Sequence, residues 1–426
     1  MRLAALVAAL AVLVSVRPAV VYGVLFAAAA LAAATAVEAA RLRGVRLLVD
    51  GWHDRVLSIG QTETLALSFR ASATAPLRVR VRQTWPDLVR ERASAQEVVL
   101  QPGESASLTF PVQGRKRGRT GLEPPHFALT FWGLAEQRVR AGETARLSVF
   151  PDLRSVKKVH AALNQLTLRG LGNRMSARLG KGREFDRLRE YVLGDEYRDI
   201  SWKATARHGK LIAREHRLDR SQDIVIGLDL GHRMAAPVAG LTRLDHAVNA
   251  AVTLAYVCNR MEDRTAILSF AADATIGPGP ARGATHLART TEFAASQHAE
   301  YLHTDYADLA VAVKRVARRR GLVVLFTVVP EREADALLKA VRMMSPPHLV
   351  LVVSLLDVDL AAAARMLPAN RAELARTLVA RDLAHSRERT VRELRALGAM
   401  VVEVAPGEAG LAAMNAYIEV KRRQML

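Results

Sequence analysis

The chain is poor in the residue types that build the commonest active sites. It has one cysteine in 426 residues, Cys258, so no intrachain disulfide can form and a reducing compartment is favoured for its bulk. Cys258 lies in the apolar run LAYVCNR and reads as a buried helix residue, not a nucleophile. Aromatic residues make up 5% of the chain, too few for the stacking platforms that hold single-stranded nucleic acid. No HExxH zinc helix and no GxSxG elbow occurs. The nearest approach to a phosphate-binding loop, ARLGKGRE (177–184), has Met175 in place of its first glycine. Gly182 stands where a magnesium-binding hydroxyl should follow the lysine. The 12 histidines are scattered, and His298 and His303, five apart, lack zinc-ligand spacing. No catalytic residue, metal or cofactor is therefore assigned, and the expectation is a binding protein.

Acidic residues are also scarce relative to basic ones. Against 42 Asp and Glu stand 61 Lys and Arg, a formal charge of +19. That excess favours anionic partners, whether an acidic protein surface, acidic lipid or nucleic acid. No nucleic-acid recognition module accompanies the charge.

What the chain has in quantity is apolar sequence, 50% of its residues. Residues 3–16 (LAALVAALAVLVSV) and 19–37 (AVVYGVLFAAAALAAATAV) are two such runs, separated by Arg17-Pro18. A spanning helix needs about 20 apolar residues, and proline ends the helix before it. The pair reads as a membrane hairpin over 1–43. A signal peptide is the rival, but no small-x-small cleavage site separates the runs. Arg41, Arg43 and Arg46 follow the second run, against Arg17 in the turn. The positive-inside bias places everything after them on the cytoplasmic side of the inner membrane.

Residues 44–153 alternate apolar with polar in short segments: LALSF (65–69), LRVRVRQ (77–83), EVVL (97–100), ASLTFPV (106–112) and ARLSVF (145–150). Turn signals separate them, which predicts a β-sandwich. From 223 to 426 the pattern changes. DIVIGLDL, TAILSF (265–270), GLVVLFTVV (321–329), LVLVVSLL (349–356) and AMVVEVA (399–405) read as buried strands. Helices are predicted near 243–261, 306–319, 331–343 and 369–397. Buried strands alternating with helices mean a doubly wound parallel sheet, an α/β class. Ligands of such sheets bind beyond the carboxyl ends of the strands, where Asp229 lies.

The segment 154–222 links these regions and carries the densest pattern. Phe185, Leu188, Tyr191 and Val192 are spaced as a helical face that Gly194 would stop, and Asp199 would cap a second helix, ISWKATAR. Gly209 would turn the chain into a strand, LIAREH, and a turn at 219–221 would lead to the sheet. Two readings stand together: an interdomain clamp and a partner-docking surface. In either, Trp202 is expected to be buried, while Arg189, Arg198 and Lys203 would steer an acidic partner.

The run Glu184, Phe185, Arg189-Glu190-Tyr191, Gly194-Asp195, Arg198, Ile200, Trp202-Lys203 and Ala206-Arg207 resembles the signature of a bacterial family, domain of unknown function number fifty-eight. The order of parts agrees: membrane hairpin, β-rich region with a Pro-Asp-Leu exit, signature, then a von Willebrand factor A-like domain. The resemblance implies a membrane-associated protein working beside a MoxR-type AAA+ ATPase on unknown client proteins. It also implies where a Mg²⁺ site would be, in a D-x-S-x-S turn with a later Thr and a later Asp. Asp229 is kept, but Gly231 and Arg233 replace the two serines, and Val328 stands where the second Asp would follow Thr327. Thr304 or Asp305 would supply the loop oxygen, and Arg233 is placed to offset the charge of Asp229. The expectation is a metal-free adaptor that binds the ATPase. The alternative is a membrane-tethered binder of nucleic acid or anionic lipid, whose binding would fall steeply with salt.

Overall fold

A computed structural model describes residues 18–91, 95–152, 184–192, 197–217, 221–330 and 334–426. The first apolar run, Gly194, Asp195 and most of the turn at 219–221 lie outside them. The chain divides into two compact units, Met1–Phe150 and Pro151–Leu426.

In the first unit, helix α1 (Pro18–Arg43) contains the second apolar run. It is apolar on every side, and most of its side chains between Tyr22 and Val37 are exposed. By length and composition it is able to cross a membrane. Eleven strands follow: β1 (Leu47–Asp50), β2 (Arg55–Ser58), β3 (Thr62–Ala71), β4 (Leu77–Arg82), β5 (Val89–Glu91), β6 (Ala95–Leu100), β7 (Ser105–Gly114), β8 (Gly118–Leu122), β9 (His126–Thr130), β10 (Gln137–Arg140) and β11 (Ala145–Phe150). Two antiparallel sheets, β1-β3-β7-β5 and β10-β9-β4-β6, share one core, and a smaller sheet β2-β11-β8 adds to them. The period-two pattern explains this directly. Along β4, Leu77, Val79 and Val81 are buried while Arg78, Arg80 and Arg82 face water. Phe69, Phe110 and Phe127 fill the space between the sheets, with the rings of Phe69 and Phe127 5.2 Å apart.

The last turns of α1 belong to that core. Leu42 is 1% exposed among its residues, and Glu38 is fully buried. The Glu38 carboxylate is gripped by the loop after β9. Its Oε1 accepts from Thr130 Oγ1 (2.9 Å) and from the backbone N–H groups of Phe131 (2.8 Å), Trp132 (2.8 Å) and Gly133 (3.3 Å). Its Oε2 accepts from Leu134 and Ala135, both at 2.9 Å. Successive amides converging on one anion form a nest, and Gly133 supplies the positive φ that the curl requires.

The second unit opens with an antiparallel pair, β12 (Glu184–Glu190) and β13 (Ile212–Arg217), with α2 (Trp202–His208) between them. The helical face expected from Phe185 to Val192 is therefore corrected to a strand. Its period-3.6 spacing was coincidental, and pairing with β13 supplies the backbone partners that decide the matter. Asp199 ends a 3₁₀ turn, and the cap position of α2 is Ser201, whose side chain makes no capping bond. Gly209 does end α2 in the left-handed region, its N–H donating to Thr205 O.

Beyond lies a six-stranded sheet. Its strands are β14 (Asp223–Asp229), β17 (Arg264–Phe270), β18 (Ala274–Ile276), β19 (Gly321–Thr327), β20 (Leu349–Leu355) and β21 (Met400–Val404). A two-residue pair, β15 (Pro237–Val238) and β16 (Leu241–Thr242), sits in the loop after β14. The order is β18-β17-β14-β19-β20-β21, and all neighbours are parallel except β18. Helices α3 (Arg243–Arg260), α4 (Ala284–Ser296) and α9 (Ala409–Arg422) pack on one face. Helices α5 (Tyr306–Val316), α6 (Asp335–Met344) and α8 (Arg371–Ala396) pack on the other; α7 (Val358–Arg365) pairs with α8. Cys258 is buried in α3, and burial pushes its thiol far above the ordinary range. It is a packing residue.

Replacing Glu38 by alanine leaves a curl of amides without their anion inside the first unit. Glu38→Ala should cost about 3–5 kcal/mol, seen as a lowered midpoint in chemical unfolding of the full chain in detergent. An unchanged midpoint would show that the nest is satisfied by water.

Candidate functional site at the carboxyl edge of the parallel sheet

Strand β14 is the centre of the sheet, and the connections from β14 and β19 leave to opposite faces. The point where they part is the crevice at which doubly wound sheets bind ligands. Asp229 ends β14 there, and Thr327 ends β19 beside it. The Thr327 hydroxyl donates to Asp229 Oδ2 at 2.5 Å. Oδ1 accepts from the Gly231 N–H at 2.8 Å and from Thr304 Oγ1 at 2.8 Å. Tyr306 OH lies 3.2 Å from Thr327 Oγ1 and extends the chain of hydroxyls into α5. Asp229 is 3% exposed and Thr327 fully buried.

Thr304 therefore lies against Asp229 as a hydrogen-bond donor. Asp305 does not: its carboxylate caps α5 by accepting from Ala307 N at 2.8 Å. Arg233 sits in a short 3₁₀ turn and contributes its charge to Asp229. Around this turn, His232 N donates to Leu302 O at 3.0 Å, and the His232 and His303 rings meet edge to face at 4.9 Å. Thr327 and Tyr306 were not identified as members of this site from sequence. A hydroxyl closing an otherwise apolar strand was the available signal for Thr327. The role of Tyr306 had none, because only the fold brings α5 to β19.

These residues do not fit a Mg²⁺ ion. Such an ion requires several oxygens free to face it in an octahedral array. Here both carboxylate oxygens are engaged by the protein, and the charge of Arg233 acts on the same group. A Cβ at Gly231 would stand 2.2 Å from Thr304 Oγ1 and 3.1 Å from Asp229 Oδ1. The space a serine would need is taken by Thr304. No group of three or more metal-ligating side chains occurs among the described residues.

β13 precedes β14, which begins at Asp223, and six residue steps, roughly 20 Å, separate that point from Asp229. Within the signature, Phe185 and Arg189 lie on β12, and Arg198 lies in the 3₁₀ turn Tyr197–Asp199. Lys203 and Arg207 are exposed on α2, and Tyr191 N–H donates to Leu211 O at 2.9 Å. Trp202 corrects an expectation. It is 60% exposed, its ring 6.4 Å from that of Tyr197, itself 76% exposed. Ala204 and Ile200 occupy the buried positions instead. Val192 and Leu211 are exposed as well.

Residues 187–372 match the family described as protein of unknown function DUF58. No curated protein matches the chain. Among solved structures, the conserved hypothetical protein BatB from Bacteroides thetaiotaomicron is similar at 13% identity over 48% of this chain and 100% of its own, with a TM-score of 0.32. An aerotolerance-related membrane protein from Bacteroides fragilis is similar at 15% identity over 47% and 100%, with a TM-score of 0.31. Escherichia coli alpha-2-macroglobulin is similar at 21% over 25% of this chain and 7% of its own, with a TM-score of 0.19.

Three outcomes are expected around Asp229. Burial raises its carboxyl above the usual range, against hydrogen bonds from Thr327, Gly231 and Thr304 and the charge of Arg233. A carboxyl raised in the folded state gives a contribution fully present below its unfolded pKa and lost as pH rises through the folded value. Asp229→Asn should therefore flatten the fall in stability with rising pH, measured by unfolding at a series of pH values; parallel curves for the two proteins would refute this. Gly231→Ser should cost about 1–3 kcal/mol by overpacking against Thr304. In the unaltered protein, added Mg²⁺ or chelator should leave Tm where it is. A saturable Mg²⁺-dependent rise, abolished in Asp229→Asn, would overturn the metal-free reading.

Proposed function

With residues 187–372 matching the DUF58 family, we propose that the chain is a membrane-anchored, non-enzymatic adaptor. Its α/β unit, read as von Willebrand factor A-like, would dock a MoxR-type AAA+ ATPase or a client protein at the cytoplasmic face of the inner membrane. α1 and the apolar run before it form the anchor as a hairpin, and Arg41, Arg43 and Arg46 orient it. The observation that carries the reading is the exposed pair Trp202 and Tyr197, with Val192 and Leu211 beside them in chain order. Exposed aromatics beside basic residues have the composition of a protein-binding hot spot. At the carboxyl edge, Asp229 is occupied by internal hydrogen bonds. It organises the loops that carry His232, Leu302 and His303, and any partner would touch those loops instead.

The test separates docking from folding. Trp202→Ala should leave Tm within about 0.5 kcal/mol equivalent of the unaltered protein, as surface substitutions do. It should abolish capture of the ATPase by the full chain in lipid nanodiscs with nucleotide trapped. Arg198→Glu with Lys203→Glu should slow association more than dissociation. Normal capture by Trp202→Ala would end the docking reading. Salt-sensitive binding of DNA by the same nanodiscs would favour the alternative driven by net charge.

A further inference from the structure

The loop that grips Glu38 has a second face. Trp132 is 53% exposed and Leu134 41% exposed, although their backbone N–H groups are bonded to a fully buried carboxylate. The Arg41 guanidinium lies 5.2 Å from the centre of the Trp132 ring. The loop therefore runs beside residues 38–41 of α1, at the end of the apolar run. From Ala19 to Val37 that run measures about 28 Å at 1.5 Å per residue, against about 30 Å of hydrocarbon in a bilayer. If α1 crosses a membrane, Glu38 marks the boundary between acyl chains and headgroups, and the loop is held at that depth.

We propose that the Thr130–Ala135 loop is a bilayer-seating element. Its exposed face is covered by the headgroup and upper acyl layer of the membrane that α1 crosses. The inference rests on the spanning reading of α1 given above. Tryptophan is the side chain enriched at this depth, with an apolar body and one polar N–H. Leu134 adds apolar area, and Arg41 reaches toward phosphate while its stem lies along the helix. The basic residues nearby, Arg43 and Arg46, are exposed and suit anionic lipid. Glu38 has a definite role in this arrangement. A carboxylate so close to hydrocarbon is costly unless paired, and here its six hydrogen bonds tie helix and β unit into one body. The β unit then has one fixed tilt and height above the membrane, in place of the swivel a free linker would allow.

Lipid contact is read from tryptophan emission of the full chain in vesicles of phosphatidylcholine and phosphatidylglycerol. The difference between the unaltered protein and Trp132→Phe isolates Trp132. That emission should be blue-shifted and quenched more by lipids brominated near the headgroup than by lipids brominated near the chain end. Phe26→Trp in the Trp132→Phe background reports on α1 and should show the opposite depth order. Quenching at position 26 with none at Trp132 would overturn the seating loop and leave the spanning helix intact; a protein partner or second copy would then be the cover. Absence of quenching at both positions would remove the spanning reading and this inference with it. Glu38→Gln sets an amide NH₂ against the N–H groups of Leu134 and Ala135. It should shift Trp132 emission to the red, and unchanged emission would refute the holding role of Glu38.

Discussion

Burying a strand on both faces leaves its polar ends without water, and the second unit is arranged around that constraint. Every residue of β14, from Asp223 to Asp229, is buried. Asp223 is answered by Arg264, whose Nη2 lies 2.6 Å from its carboxylate. Asp229 is acted on by the charge of Arg233 and takes three hydrogen bonds, from the turn after β14, the loop before α5 and the end of β19. The loops after β14, before α5 and after β19 are thereby held to one carboxylate. The surface they present depends on a group that never reaches it.

The same solution recurs. Glu38 is satisfied by a curl of amides, and Asp263 by Lys421 Nζ at 2.7 Å, Gln222 N at 3.1 Å and Tyr417 OH. Each buried acid ties elements distant in sequence: α1 to the β9–β10 loop, α9 to the loop after α3, β14 to β19. An unsatisfied buried carboxylate is costly enough that each of these contacts acts as a constraint on tertiary arrangement. In a chain with a large basic excess, the acids at these three positions are structural.

This bears on what the protein is able to do. Both oxygens of Asp229 are taken up by its own protein, and under the proposed function a partner would meet the loops around it. The two proposals rest on exposed aromatic residues, Trp202 and Tyr197 in one unit and Trp132, beside Arg41, in the other.

The periodicities determined most of the elements. Alternation in LRVRVR gave β4, the unbroken apolar run DIVIGLD gave a strand covered on both faces, and the apolar faces of 243–260 and 306–316 gave helices. These patterns are local, because burial of one face or two leaves a mark every second or every third to fourth residue. The short pattern from Phe185 to Val192 fitted a helix equally well, and only pairing with β13 made it a strand. Trp202 was read as buried from its type, yet exposure depends on which way the first turn of α2 faces. Glu38, Thr304 and Thr327 have partners 75 to 98 residues away for the two threonines with Asp229 and 92 to 97 for Glu38. No pattern of neighbours encodes contacts at such separation. They exist because a closed core brings donors to acids that would otherwise be stranded, and that was decided by tertiary structure alone.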